Sequence, residues 1–516
     1  MKRFLSFFFA LFVLIGSAPP VFGQAWGPEP APPVDMKSLP RFRGFNLLEK
    51  FTAASNRPYR EEDFRLISRL GFNFVRLPLD YRCFVRGGGT DALDARTMGE
   101  IDEAVRFGLK YHVHVCLNFH RAPGYCVNPP PEKTSLWTDA DTQERFARLW
   151  GLFAARYRGV SSRSLSFNLV NEPGEVDPAV YTAVMSQAVK AIRAADPYRL
   201  ILVDGLRWGQ VPVNGLSGGS SGSSGWIIQA TRGYSPMEVT HYRAGWIQGS
   251  DRWPAPAWPM PKPIPAFLYG PEKGGLQSPL VLRFKAERAA RLSMTVHQVS
   301  ALSRLVIKTD GLIAFDKTFR PGPGAGEWKQ AVFQKQWNIY QNIYDQTYSA
   351  VVPAGTAEVA IENTEGDWLT FSEIRIEPYG AKVRRAVVLS ATDTAWGKKQ
   401  GTVGLDETGR VSRGGDGAYD RRWLENDFFA PWIELQKRGG TVMIGECGVY
   451  SRTPHAVALA FLKDVLSVAK AHDWGWALWN FRGDFGILDS NRADVAYENF
   501  EGHKLDRKML DVLLHS

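Results

Sequence analysis

Two glutamates stand where an unpaired glutamate is unfavourable. Glu172 follows the apolar run Phe167-Asn168-Leu169-Val170 and Asn171, and Glu446 follows Val442-Met443-Ile444-Gly445. A carboxylate at the tip of a buried strand must be paired or hydrogen-bonded. Two carboxyls facing each other push their pKa values apart, so that one keeps its proton while the other is ionised. That pair can cleave an acetal: the acid protonates the leaving oxygen and the carboxylate attacks the carbon, with the two carboxyls about 5–5.5 Å apart when configuration is retained. Arg76, after Phe74-Val75, would favour the ionised form of Glu446 and leave the proton on Glu172. Other apolar segments end in Asn118 and His120, in His241-Tyr242 and in Trp479, whose indole can stack on a sugar face. Taken singly, an Asn-Glu-Pro triplet occurs by chance at helix starts, a buried glutamate is often an ion-pair partner, and a lone histidine is more often core than ligand. The histidines lack His-x-x-x-His or His-x-Asp spacing, so no metal site is expected.

These residues need elements that bring them to one rim. Strand candidates are Phe42–Leu47, Phe74–Leu77 closed by Pro78, Val113–Asn118, Leu165–Val170 and Leu200–Val203, with Met237–Thr240 after a break. Helical spacing covers Glu61–Leu70, Asp94–Phe107 ending at Gly108, Asp141–Tyr157 and Pro178–Ala195. The alternation resumes with helix Arg421–Lys437, strand Val442–Ile444, helix His455–Ala471, strand Trp476–Leu478 and helix Arg507–Leu514. Strands near residues 44, 75, 115, 168, 201, 239, 443 and 477, each followed by a helix, predict an α/β fold, a (β/α)8 TIM barrel. Its two parts are 41–262 and 396–516; an all-β sandwich, 263–395, is inserted after strand six. The sandwich strands are Val281–Phe284, Leu292–Val296, Leu305–Ile307, Tyr348–Val352, Ala357–Ile361 and Ile374–Ile376. Trp328, Trp337, Tyr340 and Trp368 are its candidate stacking residues. Trp253 and Trp258 are either a cleft wall or part of a stiff connector, and Ser217–Gly225 reads as a flexible low-complexity run.

The chain has 516 residues, 44% hydrophobic and 22% charged, as a well-filled globular protein requires. Lys2-Arg3, the 13-residue apolar stretch Phe4–Gly16 and Val21-Phe22-Gly23 before Gln24 form a secretion leader, 1–23, followed by a Pro-rich tether, 24–40. The expected location is extracellular or periplasmic, with no membrane association after cleavage. The formal charge of +9 falls to about +7 without Lys2 and Arg3, and its scattered basic residues predict no nucleic-acid partner. Of four cysteines, Cys116 and Cys447 lie in apolar strands as buried thiols, whereas Cys83 and Cys126 lie in loops after neighbouring strands and are the candidate disulfide.

The chain resembles glycoside hydrolase family 5, the cellulase and mannanase family of the retaining barrel clan. The resemblance rests on RGFNL at 43–47, GFNFVRLPL at 71–79, NFHRAPGYC at 118–126, LVNEP at 169–173, THY at 240–242, IGECG at 444–448 and LWNFRGDFGILD at 478–489. It covers the barrel halves and leaves out the insert, which resembles a carbohydrate-binding module in general pattern only. The resemblance implies Glu172 as acid/base, Glu446 as nucleophile, Arg76 as the arginine orienting it, and Asn171 on the sugar 2-hydroxyl. It implies His120 and His241 as subsite histidines and Trp479 as the platform under the sugar. The family carries a tyrosine two residues after the strand-six histidine; here that place is Arg243 and the tyrosine is Tyr242. The expected function is a secreted retaining endo-β-1,4-glucanase without cofactor, acting on a β-linked polysaccharide. Mannan, xyloglucan, mixed-linkage or β-1,3-glucan are alternative substrates of the same chemistry, and a non-catalytic polysaccharide-binding barrel is the reading from another class.

Overall fold

The structure is a computed structural model that describes residues 26–27, 29–86, 91–216, 227–262, 264–380, 386–391, 395–405 and 418–516. The leader and the 217–225 run lie outside the described residues. By contacts the chain falls into two compact units. The first comprises Met1–Arg232, Glu434–Cys447 and Asp473–Phe481, and the second Gly233–Ile433, Gly448–His472 and Arg482–Ser516.

The first unit holds a closed parallel barrel of eight strands: Arg43–Asn46, Phe74–Asp80, His114–Arg121, Leu165–Asn168, Leu200–Asp204, Ile227–Gly233, Thr441–Cys447 and Gly475–Leu478, called strands one to eight below. Phe42, Phe74, Cys116, Leu202, Ala230, Met443 and Ala477 fill it with one apolar cluster. Gly44 lets strands one and two close: a Cβ there would stand 1.7 Å from the Phe74 carbonyl oxygen. Outside, Trp150 on helix Ala140–Arg156 stacks on Phe119 with ring centres 3.9 Å apart and is fully buried. Aspartates cap the barrel helices: Asp94, Asp139 and Asp177 each accept a backbone N–H of the first turn.

Three expectations change here. Strand two continues through Pro78 to Asp80, because strand one has already ended opposite Arg76 and no ladder donor is needed on that side. The helix from Ala95 passes through Gly108 to Tyr111 and ends on His112 at φ 55°. Gly108 serves close packing instead, since a Cβ there would lie 2.5 Å from Val115. Strand six is Ile227–Gly233 and not Met237–Thr240, which is a short helix entered from Pro236.

In the second unit, two sheets enclose one apolar core that includes Leu292, Met294, Leu305, Ile307, Ile361 and Ile374. One sheet runs Phe333–Gln334, Ile339–Val352, Ala290–Ser300, Trp368–Pro378 and Val387–Ser390, with Phe267–Tyr269 added beside Trp368–Pro378. The other runs Leu312–Phe319, Ser303–Thr309, Glu358–Gly366, Leu280–Arg283 and Thr402–Gly404. The last of these strands lies past residue 395, in the stretch expected to rejoin the barrel. Trp258 donates its indole N–H to Asp464 (2.9 Å) and meets Phe461 edge-on, so it anchors a connector to helix His455–Ala471. Trp368 is buried against Phe267 and Trp396, and Trp328 bonds the Gly324 carbonyl; Trp337 stays exposed, and Tyr340 is half-buried beside Phe333.

Candidate active site

Strands one to seven each contribute a buried polar side chain to a single network: Asn46, Arg76, Asn118, Asn168, Asp204, Arg232 and Glu446. Arg76 spends its guanidinium on four of its neighbours. Its Nε donates to Asn168 (2.8 Å), Nη1 to Asn46 (3.0 Å) and Glu446 (2.5 Å), and Nη2 to Asn171 (2.8 Å). Asn168 receives the Asn118 amide at 2.9 Å and passes its own to Asp204 at 2.9 Å. The network excludes any loose geometry, because an unpaired buried charge costs several kcal/mol, on the order of 3–5.

Glu172 stands one turn of chain beyond strand four, and its backbone is strained. It has φ 46° although it is not glycine and precedes proline. Two side chains hold it there. Its N–H donates to Asp204 (2.9 Å), and its carbonyl accepts the Tyr125 hydroxyl (2.6 Å), which also receives the Gly174 N–H. Its carboxyl accepts from Arg232 Nε at 2.9 Å and keeps 17% of its side-chain surface. The same guanidinium reaches Glu446 through Nη2 (3.3 Å), donates to Asn171 (2.9 Å) and pairs with Asp204. One planar cation thus faces both candidate carboxyls. Burial and the charge of Glu446 raise the Glu172 pKa to about 7, against the opposing pull of Arg232. Glu446 faces two guanidiniums, those of Arg76 and Arg232.

His120 is buried and neutral: burial, Arg76 and Arg232 hold its pKa well below the usual histidine range. Its Nε2 faces the amides of Asn171 (3.3 Å) and Asn128 (3.4 Å). Trp479 is half-buried, with Phe51 edge-on at 5.4 Å and His120 at 5.6 Å. The first unit therefore gathers Glu172, Glu446, Arg76, Asn171, His120 and Trp479. His241 and Tyr242 belong to the second unit. There His241 bonds Thr240, is neutral because burial lowers its pKa to about 4, and sits among Tyr234, Trp246 and Phe485. Tyr242 carries the Arg243 guanidinium over its ring.

The expectation that strand six ends in His241-Tyr242 is corrected: it ends in Arg232-Gly233. The tyrosine two residues past the strand-six position is Tyr234, with arginine where the resemblance calls for histidine. The Cys83–Cys126 disulfide is also corrected, since both thiols are free. Cys83 Sγ turns to the carbonyls of Lys50 and Thr52, and Cys126 Sγ to that of His120.

Asp204, Arg232, Tyr125 and Trp208 are functional candidates the sequence reading passed over. Asp204 closes the apolar run Leu200–Val203, the same signal that marked Glu446. Trp208, with φ 56° and its N–H on the Pro173 carbonyl (2.8 Å), exposes its indole alongside Gly174.

Residues 36–224 match the family model of cellulase, glycosyl hydrolase family 5. The match takes in strands one to five of the barrel together with Glu172. In sequence the chain is similar to endoglucanase C of Acetivibrio thermocellus, 29% identical over 191 residues, which are 37% of this chain and 54% of that protein. It is also similar to cellodextrinase A of Ruminococcus flavefaciens, 24% identical over 36% of this chain and 54% of that one. The chain thus spans about half the length of these curated relatives. In structure the chain resembles a crystal structure described as a glycoside hydrolase, with TM-score 0.58, 26% identity, 92% of this chain and 99% of that one covered. The endoglucanase Cel5A of Thermotoga maritima shares the fold at TM-score 0.52 and 16% identity, covering 92% of this chain and 96% of that one.

Proposed function

We propose that the protein is a secreted, retaining, endo-acting β-glycosidase that hydrolyses a β-1,4-linked glucan, with Glu446 as nucleophile and Glu172 as acid/base. The observation that carries this reading is the single guanidinium of Arg232 facing both carboxyls at the strand ends. The relatives named endoglucanase and cellodextrinase support the substrate class.

Glu172, whose pKa is raised to about 7, holds the proton the leaving sugar oxygen needs at mildly acidic pH. Glu446, oriented by Arg76, attacks the anomeric carbon and forms a glycosyl ester. Glu172, now an anion, takes a proton from water as that water releases the sugar with its configuration kept. Asn171 gives its carbonyl to Arg76 and Arg232, which turns its amide nitrogen toward His120 and the sugar 2-hydroxyl. Trp479 lies under the sugar, and Trp208, next to the acid/base, offers a stacking face to the leaving chain. The exposed indole of Trp337 supports reading the sandwich as a carbohydrate-binding-module-like domain.

The test is digestion of a panel of β-glucans and mannans, with proton NMR of the first-formed anomer. Retained configuration, mid-chain cuts in β-1,4-glucan and loss of activity in Glu446→Ala are expected. Replacing Glu172 by alanine should lower the rate by about 10²–10⁴-fold. An inverted product, or full activity in either variant, overturns the reading.

A further inference from the structure

We propose that Arg232 is the shared counter-cation of the two carboxyls, compensating Glu446 while Glu172 is protonated and compensating Glu172 once Glu446 is esterified. The inference rests on the double-displacement reading above.

The buried network contains two guanidiniums, Arg76 and Arg232, and three carboxyls, Glu172, Asp204 and Glu446. With the proton on Glu172 its charges cancel. In the first step that proton goes to the leaving oxygen, the bond from that oxygen to the anomeric carbon breaks, and Glu446 bonds the carbon. Glu446 becomes an uncharged ester and Glu172 an anion, so the charges cancel again. In the second step a water proton goes to Glu172, the water oxygen bonds the carbon, and the ester bond returns its electron pair to Glu446. Across the cycle one negative charge crosses from one side of Arg232 to the other and back.

Arg232 is built to serve both sides without moving. Nε faces Glu172 and Nη2 faces Glu446, while Asp204 and the Asn171 carbonyl fix the plane. Two glycines give it room: a Cβ on Gly445 would stand 2.9 Å from Nη1, and one on Gly209 2.7 Å from Cγ. The other groups around Glu172 do not replace it. Tyr125 and Asp204 bond its backbone, His120 is neutral, and Arg76 lies 4.0 Å from Asp204 and bonds Glu446. A histidine in this place could lose its charge; an arginine keeps it at every working pH.

Arg232 is on this view a positioning residue whose main effect falls on the second step, when Glu172 must stay ionised. The test uses the full chain with 2,4-dinitrophenyl β-cellobioside, whose leaving group needs no acid. In Arg232→Gln, kcat is expected to fall at least tenfold and KM with it, leaving kcat/KM within about threefold. A burst of one equivalent of dinitrophenolate should appear, and the acidic limb of kcat should move to higher pH. Arg232→Lys keeps a cation beside Asp204, and so the fold, but one ammonium cannot span both carboxyls. The same pattern is expected at smaller amplitude. Should Arg232→Gln lose kcat and kcat/KM in parallel with no burst, or Arg232→Lys match the wild type, the proposal is overturned. Failure of the wild-type chain to release dinitrophenolate, or release of inverted sugar, would instead remove the double-displacement reading itself.

Discussion

Replacing Glu172 by glutamine should stabilise the protein, and only above mildly acidic pH. The carboxyl is pushed from its ordinary 4.5 to about 7 by burial and by Glu446. A carboxyl whose folded pKa is raised binds its proton more tightly folded than unfolded, so folding is favoured at low pH and disfavoured once the group must ionise. No penalty acts below about 4.5; it grows as pH rises from there to about 7 and is complete above. A shift of that size corresponds to roughly 3 kcal/mol at most. Glutamine removes the charge and keeps an oxygen for Arg232 Nε, while Arg232 remains paired with Asp204 and Glu446. Thermal melts of both proteins from pH 4 to pH 8 are the assay. At pH 8 the variant should melt higher by up to about 6 °C, at about 2 °C per kcal/mol for a domain of this size. At pH 4 the two curves should coincide. A gain that is flat with pH, or a variant less stable at pH 8, would show that the Glu172 charge is well compensated in the resting protein.

Trp208→Ala should raise KM for long glucan chains by about tenfold, one lost stacking contact, and leave hydrolysis of short aryl glycosides unchanged. Tyr125→Phe removes the hydroxyl that joins the Glu172 carbonyl to the Gly174 N–H. Melting and rate assays should show a loss of about 1–2 kcal/mol in stability and a fall in kcat larger than any change in KM. Thiol titration in denaturant without reductant should count all four cysteines, and reductant should leave the melting temperature unchanged. Expressed with its leader, the protein should be recovered outside the cytoplasm with Gln24 as its first residue by mass spectrometry; recovery of the uncleaved chain from the cytoplasm would refute the leader reading.

Helices whose ends carry chemical punctuation were legible to the residue: Pro178–Ala195, His455–Ala471 and Arg507–Leu514 stand as their spacing predicts. Gly108 misled because a glycine can answer to two demands, chain termination and close packing, and only the second holds here. In the sandwich, Ala290–Ser300 and Ile339–Val352 were recovered only in part, since their outer faces carry Ser, Thr and Gln that alternate weakly with the core. Leu312–Phe319 escaped altogether, being exposed along most of its length and so free of any hydrophobic period. Strand six was misplaced because in sequence only Trp226 separates it from the Gly/Ser run, and the later segment Met237–Thr240 carries a similar apolar content.

That single misplacement hid Arg232, and the reason it went unnoticed is electrostatic. Read from sequence, the site held a protonated Glu172, an ionised Glu446 and Arg76, which together carry no net charge. The structure adds Asp204 and Arg232, an anion and a cation paired with each other. A neutral pair leaves the charge balance of a buried site as it was, so no deficit pointed to a missing residue. Its effect lies in position: Asp204 fixes the strained backbone of Glu172, and Arg232 sets a permanent charge between the carboxyls. Removing both together, as in Asp204→Asn with Arg232→Gln, should therefore cost less fold stability than removing Arg232 alone, which strands a buried carboxylate. Activity should not recover in the double variant, because the charge proposed to pass between Glu172 and Glu446 would then have no partner midway. A double variant as active as the wild type would mean that the pair serves packing alone.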